Sequence, residues 1–154
     1  MLFDALNDER VGRYIGGPDV TTVEALYARV EHLRLGPPPE ARQLWLNFAV
    51  LLDATVVGRV EATVHSGLAE IAYLIGPRFW GRGFGLEAAT LLLEEVAREG
   101  VSDFWATTEP GNFASAEVLA RLGFEETDPS TAPLLLSYDI GDRIFYRSDE
   151  PTAR

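Results

Sequence analysis

Residues Glu70–Ala97, EIAYLIGPRFWGRGFGLEAATLLLEEVA, read as a strand, a Gly-rich turn and an amphipathic helix, in that order. Gly81, Gly83 and Gly85 stand just ahead of the helix-forming run. A helix start carries unpaired backbone N–H groups and a partial positive charge, so it attracts phosphate. Glycines let the backbone approach the anion without Cβ interference. The spacing excludes two familiar phosphate sites. A dinucleotide turn needs G-x-G-x-x-G, and counting from Gly81 the sixth position is Leu86; a P-loop needs G-K-[ST], and the chain contains no lysine. A pyrophosphate cradle of another type remains.

The run Trp80-Gly81-Arg82-Gly83-Phe84-Gly85 resembles the acetyl-CoA-binding motif of the GNAT N-acetyltransferases, Q/R-x-x-G-x-G/A, with Gly83 and Gly85 in the two small positions. A second piece, Asn112-Phe113-Ala114-Ser115 followed by Leu119-Ala120-Arg121-Leu122-Gly123-Phe124, is similar to the N-x-x-S…L-x-R-L-G-F signature of the subgroup that includes ribosomal-protein N-terminal acetyltransferases. In that subgroup Trp commonly stands in the Q/R place, as Trp80 does, with Glu87-Ala88 following. The resemblance covers about Asn7 to Phe124. It implies an α/β (α+β) GNAT fold: a central mixed, mostly antiparallel sheet of about six strands, flanked by helices. It also implies acetyl-CoA as the acyl donor and a primary amine, on a peptide N-terminus or a small molecule, as acceptor.

At 154 residues, the length fits one domain over residues 1–154. Apolar residues make up 47%, enough for a packed core. No apolar run approaches the roughly 18–20 residues that span a bilayer. No basic-then-apolar leader is visible, so a cytoplasmic location is expected. The net charge of −11 argues against a nucleic-acid surface and mildly favours cationic substrates. Coenzyme A is itself polyanionic, so its cradle has to be locally positive. Cysteine is absent, which excludes disulfides and thiolate chemistry. With two distant histidines and no cysteine, no metal site is expected.

Working outward from the motif, residues 2–14 read as a short helix broken at Gly16-Gly17-Pro18. Thr21 or Thr22 caps a second helix through Leu35, whose stripe Val23, Leu26, Val30 and Leu33 is a core pattern. A stiff Gly36-Pro37-Pro38-Pro39 connector leads into a meander of Leu44–Leu52, Val56–His65 and Leu68–Ile75. If Ser66-Gly67 is a two-residue turn, Thr63 faces Glu70 and His65 faces Leu68. Val60, Ala62 and Val64 then share an apolar face with Ala69, Ile71, Tyr73 and Ile75. The opposite face gathers Arg59, Glu61, Thr63, His65 and Glu70. A helix over Phe84–Glu99, a strand over Asp103–Thr108, a helix over Asn112–Leu122, and a closing hairpin of Leu134–Ile140 with Arg143–Arg147 complete the chain. The family's usual first strand is missing from this pattern. That leaves Leu44–Leu52 as an open edge, through which a homodimer is expected.

The resemblance distributes the site as follows. N–H groups of Gly81, Arg82, Gly83, Phe84, Gly85 and Leu86 hold the pyrophosphate. The strand end at Ile75 contacts the amide-bearing arm of the cofactor and polarises the reacting carbonyl. Trp80 either packs on the cofactor or anchors the turn to the core. Asn112 either contacts the cofactor or caps its helix. Many GNAT enzymes place a Tyr seven residues after this Asn to protonate the leaving thiolate, and here that position is Leu119. Ser115 matches a serine used instead in the ribosomal-protein subgroup; otherwise it is a helix serine bonded to a backbone carbonyl. Glu70 is the first candidate for general base and Glu61 the second, each raising the other's pKa. The alternative is a salt-bridged sheet face with Arg59. His65, at a hairpin end, is expected to be exposed. The acidic face suits a cationic amine. A rival reading, motivated by Leu119 and by the missing first strand, is an acyl-CoA-binding relative without catalysis.

Overall fold

In the computed structural model, which describes residues 2–15 and 21–150, alternating apolar and polar residues build a six-stranded sheet. The strands are β1 (Leu44–Leu52), β2 (Thr55–His65), β3 (Leu68–Ile75), β4 (Asp103–Thr108), β5 (Glu125–Thr127) and β6 (Arg143–Ser148), and they lie in the order β1-β2-β3-β4-β6-β5. All pairs are antiparallel except β3 with β4. The expected register holds: Thr63 faces Glu70 and His65 faces Leu68. A slip of one residue would turn the aliphatic set outward, so burial fixes this pairing.

The apolar face of β2 and β3 lies under helix α4 (Phe84–Arg98), whose Ala88, Ala89, Leu92, Leu93 and Val96 are all buried. Helix α5 (Phe113–Arg121) adds Leu119 to the same core. Close sheet packing also requires a glycine at Gly58, where an added Cβ would meet the Leu74 carbonyl oxygen at 2.2 Å. On the opposite face lies helix α3 (Val23–Leu35), capped as expected by Thr22, whose Oγ1 accepts from the Ala25 N–H. Its stripe does not reach the core: Val23, Leu26 and Leu33 are half-buried and Val30 is exposed.

Two further expectations fail. Residues 2–14 form two short helices, α1 (Leu2–Leu6) and α2 (Glu9–Gly12), because Asp8 accepts from the Arg10 N–H and restarts the helix. The Gly16-Gly17-Pro18 break lies outside the described residues. More consequentially, residues 134–140 form no strand. β6 pairs instead with β4 and with the unexpected β5, which follows the left-handed Gly123 at the end of α5. Leu135 is buried against Leu68, Trp105 and Ile144, while the N–H groups of Leu136 and Ser137 donate to the Glu70 carboxylate. Those donors are therefore unavailable to a strand ladder.

Candidate active site

Strands β3 and β4 pair only at Ala69–Phe104 and Glu70–Trp105, then diverge. The Gly76 N–H donates to the Val57 carbonyl on β2. Strand alternation then turns the backbone groups of Tyr73 and Ile75 toward the open side, away from β2. A cleft of about 580 Å³ occupies this opening, between the strand end, the Gly-rich turn and the start of α5.

The turn forms one wall. Gly81 and Gly83 have φ values of 71° and 83°, conformations in which a side chain is strained. Gly83 caps α4 without any side-chain hydrogen bond, so the N–H groups of the first turn, from Phe84 to Leu86, meet no capping side chain. Gly81, Gly83, Phe84, Gly85 and Leu86 all line the cleft. Arg82 does not; its guanidinium lies 4.9 Å from the centroid of the Phe84 ring. The charged residues that line the cleft are Glu117, Arg121 and Arg10, the last of which is ion-paired with Asp8. Trp80 both lines the cleft and anchors the turn, its indole Nε1 donating to the Ile75 carbonyl at 2.6 Å. The Ile75 carbonyl is thereby occupied, and its N–H is the strand-end group that faces the opening.

The far wall is the start of α5. Asn112 caps the helix, its Oδ1 accepting from the Ser115 N–H at 3.1 Å. The two alternatives for Asn112 are compatible, because its Nδ2 has no hydrogen-bond partner among the described residues and the side chain lines the cleft. Ser115 also lines the cleft, and its Oγ is 2.9 Å from the hydroxyl of Tyr73. Tyr73 is the residue that sequence reasoning missed. The available signal was a hydroxyl on an otherwise aliphatic strand face, where burial demands a partner. Burial pushes the Tyr73 phenol up to about 12, against a smaller downward pull from Ser115.

The two carboxylates singled out from the sequence lie on the other face of β2 and β3, beside a cavity of about 210 Å³ that both line with Thr63, Ala72, Leu136 and Ser137. Glu70 is buried, not poised in solvent. It accepts from the N–H groups of Leu136 (2.6 Å) and Ser137 (2.8 Å), from the Ser137 hydroxyl and from His65 Nε2 (2.5 Å). Burial alone would raise its pKa, but these hydrogen bonds outweigh burial and hold it below the usual glutamate value. The expected raising of Glu70 by Glu61 is corrected accordingly, and a carboxylate so stabilised is a poor base. His65 is likewise buried, because its imidazole serves Glu70. Glu61 is ion-paired with Arg29 and Arg59.

A profile of the acetyltransferase (GNAT) domain family matches residues 1–125, and the chain belongs to that family. A curated relative is an uncharacterized N-acetyltransferase of Schizosaccharomyces pombe, 32% identical over 71 residues. That match spans 46% of this chain and 38% of the relative. Among solved structures, an aminoglycoside acetyltransferase in complex with coenzyme A superposes with a TM-score of 0.73 at 16% identity, covering 97% of this chain and 88% of that one. A ribosomal L7/L12 alpha-N-protein acetyltransferase in complex with coenzyme A superposes at 0.66 and 20% identity, covering 84% of this chain and 74% of that one. The six-stranded mixed sheet flanked by helices is the fold these structures share with it. Among the described residues, no helix is long and apolar enough to cross a membrane.

Proposed function

We propose that the protein transfers an acetyl group from acetyl-CoA to a primary amine by direct attack of the amine on the thioester. The observation that carries this reading is one cleft walled by both an uncapped, Gly-rich helix start and a diverging strand end with free backbone donors. The first suits a pyrophosphate and the second an amide-bearing arm. Both solved structures cited above hold coenzyme A, which supports the donor.

The residues fit the donor without displacement. No atom lies within 4 Å of where a Cβ would sit on Gly81 or Gly83, so the turn presents open space at its left-handed positions. In this reading the N–H groups from Gly81 to Leu86 hold the diphosphate and Asn112 Nδ2 donates to the cofactor arm. The Ile75 N–H polarises the reacting carbonyl, and Ser115 serves the leaving thiolate. The acidic face opposite the cleft core is largely self-neutralised, with Glu61 between two guanidiniums and Glu70 saturated by donors, so it lends the primary amine no charge preference. The Asn112–Ser115 and Leu119–Phe124 segments and the ribosomal-protein neighbour point to a peptide N-terminus, the aminoglycoside neighbour points to a small-molecule amine, and the acceptor is a primary amine of either kind.

Calorimetric titration with acetyl-CoA tests the reading, with Gly83→Asp as control. Micromolar binding by the wild type, lost when a carboxylate is placed at the helix start, is the expected result. A folded wild type that binds no acetyl-CoA would refute it. Thiol release with alanyl and seryl peptides and a panel of primary alkylamines then separates an enzyme from a silent binding module.

A further inference from the structure

Ser115 is held at every polar atom it has on the cleft side. Its N–H donates to Asn112, and both its Oγ and its carbonyl oxygen lie within reach of the Tyr73 hydroxyl, at 2.9 Å and 3.1 Å. Tyr73 comes from β3, Ser115 from α5, and both line the cleft. We propose that Tyr73 is a positioning residue for acetyl transfer, turning the Ser115 hydroxyl toward the thioester sulfur so that Ser115 relays a proton to the leaving thiolate. This rests on the acetyl-transfer reading above.

The geometry gives the device two settings. Tyr73 has one hydroxyl hydrogen and two oxygens of Ser115 to give it to. When it donates to the Ser115 carbonyl, the serine's own hydrogen points back to the Tyr73 oxygen. When it donates to Oγ instead, that lone pair is filled and the serine hydrogen is released toward the cleft. Moving between the settings needs only hydroxyl rotation.

The proton count closes on Ser115. As the C–N bond forms and the C–S bond breaks, the attacking nitrogen gives up one proton and the sulfur gains one. Ser115 hands its hydrogen to the sulfur while Oγ receives the nitrogen's, and it ends unchanged. Tyr73 keeps its own proton throughout. Burial pushes the Tyr73 phenol up to about 12, so Tyr73 stays protonated and serves as a fixed donor to Ser115. The chain therefore brings a phenol to the leaving group's side although Leu119 stands where the family's acid Tyr is found.

Steady-state kinetics with acetyl-CoA and the best acceptor from the peptide and alkylamine panel test the proposal. Tyr73→Phe is expected to lower kcat roughly 10- to 100-fold, within the range of positioned acid–base groups, with acetyl-CoA affinity by calorimetry unchanged. Ser115→Ala should give a similar loss, and the double variant no further loss, since the two act as one unit. Acetyl-selenocoenzyme A, whose selenol is a stronger acid and leaves without a proton, should restore most of the rate in both variants. Independently of turnover, the ¹³Cζ resonance of Tyr73 should move in Ser115→Ala. A Tyr73→Phe enzyme at the wild-type rate, additive losses, or no rescue by the selenoester overturns the relay alone. A wild type that turns over none of the amines overturns the acetyl-transfer reading and the relay with it.

Discussion

Glu70→Gln separates a latch from a base. In the wild type a buried carboxylate accepts four hydrogen bonds, three of them from Leu136 and Ser137 and one from His65. A glutamine keeps one acceptor oxygen and turns an NH2 group toward the remaining donors. About two donors are then left unmet, at about 1–3 kcal/mol each, and partial relaxation brings the expected loss to about 2–4 kcal/mol. For a domain of this size that is a fall in Tm of about 4–16 °C. Urea unfolding at neutral pH measures the loss directly. The pH dependence fixes its origin. The folded-state pKa of Glu70 is depressed, so its contribution is fully present above the unfolded value near about 4.3 and is lost as pH falls through the folded value. The gap between wild type and variant should therefore stay constant from neutral pH down to about 5 and narrow in stronger acid. A Glu70→Gln protein with wild-type stability at neutral pH and a selective loss of kcat would refute the latch and restore the general base.

Two further outcomes are expected. Asn112→Asp keeps the helix cap and should leave stability within a few tenths of a kcal/mol, while lacking the Nδ2 donor it should weaken acetyl-CoA binding by roughly tenfold or more; Asn112→Ala should lose both, with about 0.5–2 kcal/mol of stability, as read by thermal melts and calorimetry. Strand β1 ends the sheet among the described residues and carries no charge, with Leu44, Phe48 and Leu51 exposed, so sedimentation equilibrium should return twice the 17.0 kDa chain mass and Phe48→Lys should return the monomer. A wild-type monomer at high concentration would remove the dimer.

What was legible in the sequence follows from range. The turn from Trp80 to Gly85 and the register of β2 with β3 are local: glycine spacing and period-2 alternation act within a few residues of each other. The same alternation misled at residues 134–140, where Leu134 and Leu136 are exposed on either side of buried Leu135, as in a strand. The deciding contact there is 66 residues away in sequence, because Glu70 takes the Leu136 N–H. Paired charges on neighbouring strands invited an acid–base reading, yet one carboxylate ties down a loop and the other sits between arginines. Arg59 and His65 stand close in sequence to the glutamates they serve, but Arg29, Leu136 and Ser137 lie 32, 66 and 67 residues away from theirs.

One of the two grounds for an inactive relative, beside the missing first strand, is Leu119, a single absent phenol judged along one helix. Function at a cleft is set by which hydroxyl reaches a point in space, and the helix is one of several elements that surround it. Here β3 brings a phenol to Ser115 from 42 residues upstream, on a face that pattern reading assigns wholly to the core. A tyrosine within an aliphatic stripe is the one member of that stripe whose burial needs an explanation, since its ring satisfies the core while its oxygen does not. The absence of tyrosine at position 119 therefore does not by itself argue for lost chemistry, since Ser115 presents a hydroxyl at the cleft with the Tyr73 hydroxyl beside it.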